Sequence, residues 1–135
     1  MNDTSETLPS VVVGIDLGTT HCAVARTDLS AGEHPSVESI AIAQLTSAET
    51  LEERDLLPSF LYLAAPSEGL LPLPWDAERN FAVGEYARKR GVEAPGRLIS
   101  SAKSWLCHSG IDRRSGVLPA TADPGVEKIS PVEAS

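Results

Sequence analysis

The chain has 135 residues, 41% of them hydrophobic and 22% charged, a composition that supports one packed domain and excludes wholesale disorder. Nineteen acidic residues against 11 basic ones give a formal charge of −8, which disfavours nucleic acid as a partner because phosphate backbones are gripped by lysine and arginine. Aromatic residues are only 4%, so a mostly aliphatic core is expected.

Residues 1–9 are polar and acidic and read as a disordered leader, leaving 10–135 as the folded part. The apolar run that follows is too short for a signal or membrane segment, so the expectation is a cytoplasmic protein without membrane contact. Cys22 and Cys107 lie far apart and form no framework pattern, which predicts small, buried, free thiols rather than a disulfide. Their neighbours His21 and His108 fit no familiar zinc spacing.

Val11 to Leu17 and Cys22 to Thr27 are β-rich runs separated by small residues, the layout of a hairpin. A third strand is expected from Val37 to Leu45 and a fourth within Ser59 to Ala65, with the charged stretch between them as a solvated loop. The proline-rich "PSEGLLPLPWD" reads as a surface excursion. "FAVG" predicts a short strand followed by a helix over "EYARKR" that Gly91 closes. Leu98, Ala102, Trp105 and Leu106 recur at helical spacing, with Ile99 on the edge of the stripe, and predict a stronger helix stopped by Gly110. After a loop-like stretch from Ile111 to Lys128, Ser130, Pro131 and Glu133 spell the start of another helix, with a cap, an N1 proline and a capping-box carboxylate. Because only two residues follow this start, it is either a frayed tail that resembles a cap by accident or the sign that the chain is the front part of something longer.

The chemistry is concentrated in "VVVGIDLGTT". A turn made of Gly18, Thr19 and Thr20 offers consecutive backbone N–H groups and two hydroxyls to one spot, which suits a phosphate oxygen. Asp16 stands among apolar strand residues, where an unpaired buried charge is costly. Beside a phosphate-binding turn it implies an intervening cation, magnesium held largely through water or a monovalent ion such as potassium. The alternative is an exposed aspartate that merely caps the turn.

"GIDLGTTHCAVAR" resembles the first phosphate-binding hairpin of the actin, sugar-kinase and heat shock protein 70 superfamily, and most closely the last of these. "LLPSFLYL", "FAVGEYARKR", "SAKSWL" and "ISPVEAS" resemble later pieces of that chaperone family in the same order. The resemblance implies a ribonuclease-H-like, actin-like ATPase fold of α/β class, a mixed sheet with flanking helices and an incomplete first lobe. It implies ATP or ADP as ligand, with Asp16 organising the cation shell and Gly18, Thr19, Thr20 and His21 cradling phosphate. By position, Lys103 matches the family's lysine that reaches the terminal phosphate and helps position the attacking water. For the complete protein it implies ATP hydrolysis, unfolded polypeptide clients and co-chaperones. Hydrolysis by this chain alone is expected to be poor or absent.

His21 stands where the family usually has Asn or Tyr, and Ser104 and Trp105 replace a basic-aliphatic pair after the lysine, the pattern of a divergent member. Trp105 is expected to pack in the core. Two other readings share these residues: a sugar or carboxylate kinase of the same superfamily, and a non-catalytic interaction domain that keeps the hairpin only as structure.

Overall fold

The computed structural model describes residues 9–135, so the expected leader lies, except for Pro9, outside the described residues. The fold mixes α and β: three antiparallel sheets with a few short helices against them. No helix among the described residues is long and apolar enough to cross a membrane.

The first sheet grows from the expected hairpin. Strand β1, Val11–Leu17, pairs antiparallel with β2, His21–Asp28, in a register that sets Asp16 opposite Ala23 and Leu17 opposite Cys22. On its other edge β2 takes β3, Val37–Ile40, and farther along β6, Leu57–Pro58. The run from Val37 to Leu45 is therefore not one strand. It breaks at Ala41, and β4, Ile42–Leu45, leaves to pair with β5, Leu51–Arg54, in a separate hairpin. The charged segment expected to be a loop supplies β5, because its backbone completes the ladder of β4 while Glu53 and Arg54 stay in solvent.

The third sheet has the order β8-β7-β9 and carries the core. Its centre is β7, Phe60–Leu63, flanked by β8, Phe81–Val83, and β9, Leu98–Ser100. Side chains alternate across a strand, so β7 feeds two clusters. Tyr62, fully buried, packs with Leu45, Leu71, Leu73, Ala82 and Ala87. Leu61 packs on the opposite face with Ile99, Ala102 and Leu118. Leu71 and Leu73 thus make the proline-rich segment part of the core, not only a surface excursion.

Helix α1, Glu85–Glu93, covers the first cluster. Gly91 does not close it but lies buried inside it, where a Cβ would meet the Leu98 side chain at 2.5 Å. Gln44, 3% exposed, ties the helix start to the β4 hairpin: its Oε1 accepts from the Glu85 N–H and its Nε2 donates to the Leu56 carbonyl. Below the helix, Glu68 accepts from the Tyr62 hydroxyl at 2.7 Å, the Ala65 N–H at 2.7 Å and Arg90 at 2.6 Å. Burial opposes the charge on Glu68, yet these three donors outweigh it and hold the carboxyl below its usual range. Burial, followed by the bond to Glu68, pushes the Tyr62 hydroxyl up to about 12.

The long helix expected from Leu98 does not form. Leu98 to Ser100 become an edge strand on β7, and only α2, Ala102–Trp105, is helical after a left-handed Ser101. Trp105 packs against the second cluster, as its size suggests, and stacks on His108 at 5.6 Å. Helix α3, Pro131–Ala134, starts as read: Ser130 Oγ accepts from the Glu133 N–H, and the Glu133 carboxylate accepts from the Ser130 N–H. Both cysteines are free, but Cys22 is only half-buried and Cys107 is exposed, so the expected buried thiols are not found.

Candidate functional site

The turn between β1 and β2 is the place where most of the candidate residues meet. Gly18 has to be glycine here, because a Cβ on it would lie 2.2 Å from the backbone oxygen of His21. Thr19 and Thr20 are exposed at the tip, and His21 opens β2 half-buried.

Asp16 sits two residues before the turn, on the face of β1 that also carries Gly14. The premise of a buried charge is corrected: β1 is exposed along its whole length, Asp16 included, so its carboxylate incurs no large desolvation cost. Its surroundings are small. Gly14, Ala23 and Ala25 border it, a Cβ on Gly14 would touch nothing within 4 Å, and a shallow depression of about 330 Å³ lies over these residues. A ligand therefore has room beside the carboxylate.

Lys103 is brought to the same place from 86 positions away. Its ammonium donates to the carbonyl of Leu17, the residue between Asp16 and the turn. Two serines that sequence reasoning missed stand with it. Ser59, between β6 and β7, donates from Oγ to the Gly18 carbonyl at 2.7 Å and from its backbone N–H to the Thr20 carbonyl at 2.9 Å. Ser101, after β9, donates from Oγ to the Thr19 carbonyl at 3.2 Å, and its N–H donates to the Ser59 carbonyl. The carbonyls from Leu17 to Thr20 are thus all held by protein donors. Among the described residues, the N–H groups of Thr19 and Thr20 donate to no protein acceptor, while the Leu17–Cys22 register turns the Gly18 N–H toward the His21 carbonyl. No local pattern singles out Ser59 or Ser101; the only hint is that "PS" and "SAKS" stand among the segments that carry the resemblance.

On the other side of His21 lies an open cavity of about 400 Å³ lined by Gln44, Arg54, Asp55, Glu85 and Arg88. Its two arginines are already matched, Arg54 with Glu52 and Arg88 with Glu85. The Arg88 guanidinium holds the Glu85 carboxyl below its usual range.

Among the described residues, no three His, Cys, Asp or Glu side chains converge as a metal-binding group. Asp16 alone fits a cation whose remaining ligands are water and phosphate oxygens, the usual arrangement for magnesium at a nucleotide. Cys22 and Cys107 with their histidines form no such group either.

No protein-family model matches the chain, and no curated protein or solved structure matches it.

Proposed function

We propose that this chain forms the first phosphate-binding part of a heat-shock-70-like ATPase, with the ribonuclease-H-like arrangement its sequence resemblance implies. The observation that carries the reading is the pair of consecutive unengaged N–H groups at Thr19 and Thr20, flanked by the Asp16 carboxylate and the Lys103 ammonium. Consecutive free amides form an anion-binding concavity, and a compact ammonium beside them suits a phosphate oxygen.

In this reading the polyphosphate of ATP or ADP lies against the turn from Gly18 to His21, taking the amides of Thr19 and Thr20, and the two threonine hydroxyls donate to the same oxygens. Asp16 holds the water shell of a magnesium or potassium ion, which supplies charge neutralisation at the phosphates when bound. Lys103 exchanges its bond to the Leu17 carbonyl for one to the terminal phosphate and orients the attacking water there. The exposed apolar side chains of β1, with Ile15 at 64% and Leu17 at 59%, support a sheet that further polypeptide covers in the complete ATPase domain. Chaperone clients and co-chaperones belong to that complete protein, as the resemblance implies.

Isothermal titration with ATP and magnesium tests the reading. Saturable heat that falls at least about tenfold in affinity for Lys103→Ala is the expected result, since a charged hydrogen bond to phosphate contributes about 1.5 to 3 kcal/mol. Absence of binding up to millimolar nucleotide contradicts it.

A further inference from the structure

Ser101 occupies the N-cap position of α2, where a serine hydroxyl ordinarily accepts from the N–H groups of the first turn. It makes no such bond. Its φ of 50° and ψ of 42° are left-handed, a conformation that is strained for a non-glycine residue, and its hydroxyl donates to the Thr19 carbonyl. Ser59 likewise directs both its hydroxyl and its N–H at the turn, on the Gly18 and Thr20 carbonyls. The Ser101 N–H to Ser59 carbonyl bond locks the two serines to each other. A strained residue and an uncapped helix both yield the same outcome, a bond to the turn.

The consequence follows from peptide geometry. A trans peptide is planar, with its C=O and N–H pointing in opposite directions. Fixing the carbonyls of Gly18 and Thr19 against Ser59 and Ser101 therefore aims the N–H groups of Thr19 and Thr20 away from those serines, while Ser59 pins the Thr20 carbonyl that closes the turn. We infer that Ser59 and Ser101 are positioning residues that preorganise the turn for a polyphosphate anion, acting through the backbone without touching the ligand. This inference rests on the nucleotide reading above and extends it to residues outside the hairpin. Preorganised donors bind an anion without first losing conformational freedom, so loosening them weakens binding even when the fold survives.

The test uses the 15N-labelled chain with two readouts. Without ligand, backbone relaxation of Thr19 and Thr20 is expected to show order parameters near 0.85, the rigid range, falling below about 0.6 in Ser59→Ala. With ATP and magnesium as the probe, the affinity read from amide shifts of residues 18–21 is expected to fall about fivefold to twentyfold in Ser59→Ala. In Ser59→Thr, which keeps a hydroxyl donor, it is expected to return to within about twofold. Ser101→Gly separates positioning from stability: it relieves the left-handed strain and so keeps or raises Tm, yet it removes the hydroxyl and is expected to lower affinity by about fivefold. If Ser59→Ala fails to fold, Ser101→Gly carries the test alone. Wild-type binding together with unchanged affinity in the variants, or a turn that stays equally rigid in them, overturns the inference and leaves the nucleotide reading standing. No amide shift in the wild type overturns the nucleotide reading, and with it the inference.

Discussion

The sheet around β7 and the sheet around β2 are built on opposite terms. In the first, β7 buries both faces, Tyr62 toward α1 and Leu61 toward Leu118, and a half-buried carboxylate with three donors sits beneath the helix. In the second, Val11, Val13, Ile15 and Leu17 are exposed, and the turn is held by single hydrogen bonds from residues that belong to or border the first. The difference teaches that the stable sheet acts as a frame, and the hairpin is hung from it by its carbonyls so that its amides remain available. Stability thus rests on the first sheet, and the ligand recognition proposed for this chain rests on the second.

The largest expected effect tests this division directly. Tyr62→Ala removes a fully buried ring and is expected to cost about 3 to 5 kcal/mol in urea unfolding, whereas Ile15→Ala on the exposed strand is expected to cost less than about 1 kcal/mol. Equal costs would break the comparison.

Gly18→Ala comes next, because the added methyl meets a backbone oxygen that cannot swing aside. A loss of about 1 to 3 kcal/mol is expected, together with displaced amide resonances at Thr19 and Thr20. Glu68 gives a pH dependence confined to the frame. Its folded pKa is depressed, so its contribution is present above the unfolded value of 4.5 and is lost as pH falls through the lower folded pKa. Unfolding followed from pH 6 down to pH 3 is expected to show a loss of stability that Glu68→Gln flattens. The smallest effect is that of Asp16→Asn, which is expected to change unfolding free energy by less than about 0.5 kcal/mol while weakening the magnesium dependence of ATP binding. A large stability change there would return Asp16 to a structural role.

What was legible in the sequence was what local chemistry decides. Strand β1 and the capping box of α3 depend on residues within a few positions of one another, and both were read in place. The helix expected from Leu98 was lost to tertiary pairing: its apolar spacing suits a helix, but the edge of β7 takes Leu98 to Ser100 as a strand, and Ser101 then turns left-handed. Strand β5 was hidden by its charges, since "LEER" has no strand propensity until β4 lies beside it. Lys103 was singled out by the resemblance alone, because no local pattern tells that its ammonium reaches the Leu17 carbonyl 86 positions away. Ser59 and Ser101 act across 41 and 82 positions, and no periodicity records a hydroxyl aimed at a distant carbonyl.

A crystal structure of the chain grown with magnesium and a non-hydrolysable ATP analogue tests the central claim most directly. The account predicts phosphate oxygens about 2.7 to 3.2 Å from the backbone nitrogens of the Gly18–His21 turn, with the Lys103 ammonium moved from the Leu17 carbonyl to the terminal phosphate. Phosphates bound elsewhere, with the turn amides still facing solvent, would contradict it.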